Sequence, residues 1–293
     1  MTEHKKAAVL TEISLVLAAV FWGANYAATK YAAEFMPPLL VVAFRFLVGG
    51  TLVSCLLLTL KPADRIAPKD LLPVAGLGCL YVAIGQGTFT LGIHLTSAAN
   101  TGLIFATSPV WGLLLGSMLG LERPTWRGIL GVGLSIVGVG IVFYEGLSAE
   151  SAGSAGDALV LVSAMTFGAY TVFSMPMLRR HSPLAVAAYS LLFGGLVVFA
   201  FSVPFLPELD WAGVGAGAWA AVIFSGVFAT AFAFSAWQVG IGRVGANRVL
   251  VYKYLITLTG VASGIAFFGE SLGIEKLVGG AVILVGVYLA RRQ

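Results

Sequence analysis

The second half of this 293-residue chain repeats the first half at an offset of 145 to 148 residues. Short segments recur in the same order: Trp22-Gly23-Ala24 and Phe167-Gly168-Ala169, Pro38-Leu39 and Pro183-Leu184, Gly49-Gly50 and Gly194-Gly195, Ala99-Asn100 and Ala246-Asn247, and then Glu122, Gly131 and Gly138 as Glu270, Gly279 and Gly286. Because the offset increases from 145 to 148 along the chain, a few single-residue insertions separate the two copies. Two related halves are a common organisation of membrane transporters, because two bundles can move about a site between them.

The composition places this repeat in a membrane. Hydrophobic residues make up 59% of the chain, charged residues only 10%, and the mean hydropathy is +0.96, which leaves too little charge for a soluble surface. The net charge of +4 comes from basic residues spread singly or in short groups beside apolar segments, so a nucleic-acid surface is not expected. Cys55 and Cys79 both lie in apolar runs, so neither a disulfide framework nor a metal or cofactor site is expected.

The N-terminal segment is the one place where a cleaved signal is the alternative to a membrane span. Lys5-Lys6 followed by an apolar run imitates a secretory signal. The run from Leu10 to Ala33 is longer than a signal core, and it contains Trp22 and Asn25. It is therefore interpreted as an uncleaved first span.

Ten segments are apolar over the length that a transmembrane helix needs, about 20 residues. They are Leu10 to Ala33, Leu39 to Leu60, Leu71 to Ile93, Ala98 to Leu121, Gly128 to Tyr144, Ala158 to Leu178, Leu184 to Phe205, Trp219 to Ile241, Ala246 to Phe268, and Ile274 to Ala290. The short fifth and tenth spans hold matching places in the two halves. The prediction is an all-α membrane protein with ten transmembrane helices as a 5+5 repeat, one repeat over residues 1–146 and the other over 157–293.

The basic residues predict how the spans are oriented. Thirteen Lys and Arg residues fall on the side of the two termini, and only Lys30 and Lys276 fall on the other side. Since cytoplasmic loops are enriched in Lys and Arg, both termini are predicted to be cytoplasmic. Each half has an odd number of spans, so the second copy is predicted to be inverted relative to the first.

Glycines are expected to pack the helices closely. Gly112, Gly116 and Gly120 share one helix face in the fourth span. Glycines of the fifth and tenth spans, Gly131 and Gly279 among them, have a second interpretation, contact across a dimer. Both a monomer and a homodimer remain open.

The motifs of the chain resemble one transporter family. The segment Phe21 to Lys30, the Pro-Pro-Leu at Pro37 to Leu39, Phe44-Arg45-Phe46, Thr96 to Ala99 with Ser108-Pro109, Leu121 to Arg123, and Gly269-Glu270-Ser271 resemble EamA-type permeases of the drug/metabolite transporter superfamily. The resemblance covers essentially the whole chain. It implies a cavity between the halves, built from spans 1, 3, 4, 6, 8 and 9, and export of small metabolites or amino acids across the bacterial inner membrane. One departure is Ile256, which stands where the family often repeats the proline of Pro109.

Lys253, inside the ninth span between two tyrosines, is the foremost candidate for substrate binding. A lysine at that depth costs about 3 kcal/mol on insertion scales, so it is expected to face the bundle interior or water. It is interpreted as a counter-charge for an anionic group of the solute. The alternative is that it extends toward the cytoplasmic side or bonds a carbonyl. Neighbouring Tyr252 is a candidate to contact the solute's body.

Further candidates are polar or aromatic residues within the spans. Those predicted to line a substrate cavity are Tyr81, Tyr170, Trp111, Asn25, Gln86 and Trp22. Pro109 is a candidate hinge, or else a kink that only shapes the bundle. Lys30 and Glu34, one turn apart at the predicted external end of the first span, are expected to form a surface pair, with an external gate as the alternative. Arg45 is expected to have a structural role.

The residue pattern does not favour an enzyme. His4, His94 and His181 all lie at or beyond span ends, and neither a zinc-protease motif nor a phosphate-binding loop is present. No Asp or Glu occupies the middle of a predicted span, which argues against a buried proton relay. The predicted function is secondary transport by alternating access, most simply as an exporter, with a channel or facilitator as the alternative. Its expected partners are a small-molecule solute and membrane lipid.

Overall fold

The computed structural model describes residues 3–61, 63–120, 125–148, 152–244, 249 and 252–291. Over these residues every regular element is helical and no strand occurs. In chain order the helices are α1 (Glu3–Phe35), α2 (Pro38–Leu60), α3 (Pro68–Leu95), α4 (Ala98–Met118), α5 (Trp126–Ser148), α6 (Ala152–Leu178), α7 (Pro183–Ser202, followed by a 3₁₀ turn over Val203–Glu208), α8 (216–244), α9 (Tyr252–Phe268) and α10 (Ile274–Arg291). Asn247 and the Leu121 to Arg123 motif lie outside the described residues.

Seven of these helices are long and apolar enough to cross a membrane: α1, α2, α3, α4, α6, α7 and α8. Shorter apolar stretches are Trp126–Val142 in α5 and Tyr252–Phe268 in α9. Large apolar side chains such as Leu72, Phe201 and Phe267 are mostly exposed on the outside of the bundle, as expected for contact with lipid. The predicted all-helical, multi-pass membrane protein is confirmed.

Helix starts follow local sequence signals. Proline occupies the first helical turn, where its missing N–H costs nothing, in three helices that begin at Pro38, Pro68 and Pro183. Serine hydroxyls cap two helices: Ser97 Oγ accepts from the backbone N–H of Asn100, and Ser182 Oγ accepts from that of Ala185. The two serine caps fix the residues at which α4 and α7 begin.

Helices α3 and α8 each contain a π-helical segment, Cys79–Gln86 and Ser225–Phe232. A π turn leaves backbone carbonyls without their usual partners and shifts the direction of the following side chains. The two segments start 146 residues apart, which is within the offset of the sequence repeat. Tyr81 and Gln86 of the first segment line the central cavity described below, and Ser225 and Ala229 of the second form hydrogen bonds with two residues that line it.

Glycine allows close approach between helices of the two halves. A Cβ added at Gly23 of α1 would lie 2.5 Å from Thr259 Cβ and 2.8 Å from Gly260 N of α9. The repeat-equivalent Gly168 of α6 makes the equivalent contact, since its added Cβ would lie 2.6 Å from Gly112 N of α4. No side chain fits at either position without displacing backbone.

The same relation holds between α5 and α10. A Cβ added at Gly138 would lie 2.8 Å from Gly279 O, and one added at Gly286 would lie 2.7 Å from Gly131 O. These glycines are therefore in contact within one chain, and the choice between a monomer and a homodimer stays a prediction.

Candidate functional site: a cationic, aromatic cavity at the centre of the bundle

A small cavity lies where α1, α2, α3, α4, α6 and α9 converge. Its lining residues are Trp22, Asn25, Tyr26, Arg45, Tyr81, Gln86, Phe89, Phe105, Phe167, Lys253 and Ile256. Its volume is about 30 Å³, which is room for one or two water molecules. In this conformation the helices close around the site, so a metabolite enters only when they separate.

Lys253 is buried in this cavity among aromatic rings. Its side chain belongs to a residue that is only 4% exposed, and Nζ lies 3.7 Å from the centroid of the Phe167 ring, 4.5 Å from that of Phe105 and 5.8 Å from that of Trp237. Among the described residues Lys253 has no ion-pair partner, and its Nζ donates no hydrogen bond. The ammonium group thus rests on π faces alone.

The aromatic rings offset only part of the free energy that it costs to bury the charge of Lys253. A lysine at the centre of a bilayer costs about 3 kcal/mol on insertion scales and more by other estimates. A desolvated cation–π contact returns about 1 to 2 kcal/mol at good geometry. The rings therefore make the buried ammonium tolerable, but they supply no anion and no acceptor oxygen. An anionic group entering the cavity would find three free donors.

Arg45 is a second buried cation in the same cavity. It is 4% exposed, and one terminal nitrogen donates to Gln86 Oε1 at 2.5 Å while the other donates to Thr29 Oγ1 at 3.3 Å. Its Nε has no hydrogen-bond partner in the part of the chain that the structure describes. The neutral partners explain the structural role expected for Arg45, but the sequence interpretation missed that it also lines the cavity. The available signal was the same as for Lys253, a charged residue inside a span.

The π-helical segment of α8 orients the side chains that α1 contributes. Trp22 Nε1 donates to the backbone carbonyl of Ala229 at 2.6 Å, and Asn25 Oδ1 accepts a hydrogen bond from Ser225 Oγ. Both partners lie in Ser225–Phe232, the segment whose carbonyls a π turn leaves free. The two side chains are therefore fixed by the second half of the chain.

The structure brings five of the eight predicted binding residues to the cavity: Lys253, Tyr81, Asn25, Gln86 and Trp22. The other three are absent from its described lining. The Tyr170 ring is tilted against that of Tyr81, with the ring centroids 4.9 Å apart, and its hydroxyl accepts from Gln238. Trp111 Nε1 donates to Thr107 Oγ1 at 3.0 Å, and Tyr252 is partly buried against the core. Mid-span depth alone did not predict which side of its helix each ring occupies.

Pro109 coincides with a break in α4. The helix divides into Ala98–Phe105 and Ser108–Met118, with a turn between them. Proline has no N–H for the carbonyl of Phe105, and the hydroxyl of Ser108 donates to that carbonyl instead. The break lies next to Phe105, whose ring contacts Lys253. The α-helix is therefore interrupted where the proline predicts a disturbance, and the interruption adjoins the cavity.

At one end of the bundle Lys30 joins α1 to the segment after α9. Its Nζ lies 2.9 Å from Glu270 Oε1 and 3.0 Å from the carbonyl of Thr96, and Glu270 also accepts the backbone N–H groups of Ala98 and Ala99. The expected Lys30–Glu34 pair is wrong: Glu34 is exposed and forms no ion pair with a described residue. We call the Lys30–Glu270 pair, with the start of α4, the Glu270 clamp.

The Glu270 carboxylate is stabilised in its charged form. Burial by itself raises the pKa of Glu270, but the hydrogen bond from Lys30 and the two from the Ala98 and Ala99 amides outweigh it, so the pKa lies below its ordinary value. Beside the clamp, buried Asp157 of α6 accepts from Thr96 Oγ1 at 2.6 Å. Two acidic residues of the second half thus hold the start of α4.

The opposite end of the bundle has its own polar contact between the halves. Asp70, in the first turn of α3, accepts from His181 Nε2 at 2.8 Å and from Arg180 at 3.1 Å, just after α6. The central cavity therefore lies between two ion-paired ends, each of which links the first half of the chain to the second.

A helical membrane protein with a small cationic and aromatic cavity at its centre has the architecture of a solute transporter. The model of the EamA-like transporter family matches residues 9–144 and 154–292, and the chain belongs to that family.

Proteins similar to this chain along most of its length bear transporter names. An uncharacterized transporter of Archaeoglobus fulgidus is 26% identical over 96% of this chain and 98% of its own. A probable amino-acid metabolite efflux pump of Salmonella typhimurium is 25% identical over 94% and 92%, and a probable terminal-alkyne amino-acid exporter of Streptantibioticus cattleyicolor is 28% identical over 78% and 76%. A solved crystal structure shares the fold, with a TM-score of 0.68 at 20% identity over 94% of this chain and 95% of that one. The predicted transporter function is confirmed.

Proposed function

We propose that this transporter exports a small metabolite or amino-acid-like solute with an anionic group across a bacterial inner membrane, by alternating access at the central cavity. The observation that carries the proposal is Lys253, a buried ammonium held by aromatic rings, with no anionic partner among the described residues. The names of two relatives, a probable amino-acid metabolite efflux pump and a probable terminal-alkyne amino-acid exporter, support export of a small metabolite.

For the architecture we infer a 5+5 inverted repeat of ten spans, over 1–146 and 157–293, with both termini cytoplasmic. Its support is the reciprocity of the glycine contacts, in which repeat-equivalent positions exchange roles between α1–α9 and α6–α4, together with the paired π segments of α3 and α8. A reporter fused to the C-terminus that is active only in the cytoplasm checks the orientation. An active reporter is expected there, and an inactive one would contradict the topology.

Alternating access would use the two ion-paired ends in turn. The Glu270 clamp, on the predicted external side, and the Asp70 contact with Arg180 and His181, on the predicted cytoplasmic side, each join the two halves. Opening either end separates an ion pair, so a conformation with both ends open loses both pairs. Because each open end costs one ion pair, conformations in which only one end is open are favoured over those in which both are. Glu34, exposed and unpaired among the described residues, has no place in this gate.

The test is transport by the purified protein in liposomes, screened by competition against labelled amino acids and organic acids. Lys253→Met is expected to lower uptake of the anionic solute at least about tenfold, because it removes a charge-assisted bond, while Lys253→Arg retains more of the activity. Lys69→Met, the same change at an exposed position outside the cavity, is expected to match wild type. Equal uptake by Lys253→Met and wild type would overturn the role of Lys253.

A counterflow measurement separates the transporter from a channel or facilitator-like pore. Unlabelled solute inside the liposome is expected to accelerate entry of labelled solute, because the loaded site returns faster than the empty one. A rate that rises linearly with concentration and shows no such acceleration would favour the channel.

A further inference from the structure

We propose that the cargo of the central cavity is an organic acid with two separate anionic groups and no free ammonium group. This inference rests on the proposed function and specifies its solute. The argument uses the charge and the hydrogen-bonding capacity of the described cavity lining.

The lining carries two positive groups and no negative one. Lys253 and Arg45 are both 4% exposed, and no acidic residue is among the described lining residues. Buried charges in proteins are normally paired, because an isolated charge is costly in a low dielectric. Here the pairing partner is absent from the described protein, so a solute that brings two negative charges neutralises the site.

The lining is also rich in donors and poor in free acceptors. Gln86 Oε1 already accepts from Arg45, and Asn25 Oδ1 already accepts from Ser225. Lys253 and the unpartnered Nε of Arg45 offer donors. A zwitterionic amino acid would bring an ammonium group close to two cations, with only the Tyr26 and Tyr81 hydroxyls and the aromatic rings to receive it. Carboxylates, which only accept, match the donors.

The two cations come from opposite halves of the chain. Arg45 lies on α2, and Lys253 lies on α9. A solute with an anionic group at each end contacts both halves at once, whereas a monoanion contacts one cation and leaves the other unpaired. Binding energy is then gained only in the conformation in which the halves close on the solute. A phosphate group would place both charges at one point and is predicted to fit less well.

The experiment compares matched probes for binding to the purified, detergent-solubilised protein and for competition in liposomes. The probes are glutarate, which has two carboxylates; pentanoate, which has one; glutamate, which adds an ammonium group to glutarate; and inorganic phosphate. Glutarate is expected to bind at least about tenfold more tightly than each of the other three. Equal or tighter binding of pentanoate, glutamate or phosphate overturns the inference.

Two variants test whether Arg45 and Lys253 are the residues that recognise the two anionic groups. Arg45→Gln and Lys253→Met are each expected to reduce the glutarate-to-pentanoate preference to less than about threefold, since each removes one cation. Arg179→Gln, at an exposed arginine after α6, is the matched control and is expected to keep the preference. If Arg45→Gln fails to fold, Lys253→Met tests the inference by itself, and an unchanged glutarate-to-pentanoate preference in that variant overturns it.

Transport of amino acids without competition by glutarate would overturn this inference but not the proposed function. Absence of transport for every solute would overturn the proposed function as well.

Discussion

Lys30 Nζ lies 2.9 Å from Glu270 Oε1, and the two residues are 240 positions apart in the chain. The pair is partly shielded, with 18% of the Lys30 side chain and 9% of the Glu270 side chain exposed. Glu270 also accepts the first two backbone N–H groups of α4, which an isolated helix start would leave unpaired. A single carboxylate therefore connects α1, α4 and the end of α9.

Breaking this pair is expected to destabilise the protein. Lys30→Met leaves the shielded carboxylate without its cation and is expected to lower the unfolding free energy by about 2 kcal/mol. Glu270→Gln is expected to cost a similar amount, and the double variant less than the sum, because the two residues share one interaction. Thermal unfolding in detergent measures all three. Glu34→Gln, at the exposed residue one turn from Lys30, is expected to change the unfolding free energy by no more than about 0.5 kcal/mol. A larger change would instead support a Lys30–Glu34 pair.

The clamp is expected to weaken in acid. Because the pKa of Glu270 is lower in the folded protein than its ordinary value of 4.5, its stabilisation is complete above about pH 4.5 and is lost as the pH falls through the lower, folded-state pKa. The measurement is therefore the difference in melting temperature between wild type and Glu270→Gln at pH 7 and near pH 3.5. The difference should shrink in acid, and a constant difference would contradict a role for the carboxylate charge.

The sequence allowed the helical membrane fold and the buried lysine to be predicted, because both follow from local hydropathy and the cost of charge in a bilayer. The partner of Lys30 could not be predicted from the sequence in this way. The four-residue spacing favoured Glu34, whereas Glu270 comes near only through tertiary packing of α1 against the end of α9. Long-range pairs of this kind carry no local signal.

The same limit explains the errors at the cavity. Tyr170 and Trp111 lie at the right depth, but Tyr170 bonds Gln238 of α8 and Trp111 bonds Thr107 of its own helix. The rotation of a helix depends on which of its faces packs, and in α3 and α8 a π segment also changes the direction of the side chains that follow it. Hydropathy does not register a π turn. A place in the cavity could also have been predicted for Arg45, because burying its charge costs about as much as burying that of Lys253.

The close glycine contact between α1 and α9 is expected to be intolerant of a methyl group. Gly23→Ala would place Cβ 2.5 Å from Thr259 Cβ and 2.8 Å from Gly260 N, and the overlap is expected to cost about 1 to 3 kcal/mol. Gly76→Ala in α3 is the matched control, because its added Cβ meets nothing within 4 Å. That change is expected to be neutral or up to about 1 kcal/mol stabilising, from helix propensity. Equal melting temperatures for the two variants would argue against the α1–α9 contact.

Pro109 is expected to matter more for transport than for folding. Pro109→Ala supplies an N–H for the Phe105 carbonyl, which now accepts from Ser108, so α4 can become continuous without loss of a hydrogen bond. A straightened α4 would move the Phe105 ring relative to Lys253, now 4.5 Å from its centroid. Transport in liposomes is therefore expected to fall at least about threefold, while the melting temperature stays near wild type or rises. Pro73→Ala, inside α3 and exposed, makes the same chemical change away from the cavity and is expected to leave transport intact. If both variants transport like wild type, Pro109 only shapes the bundle and the hinge proposal fails.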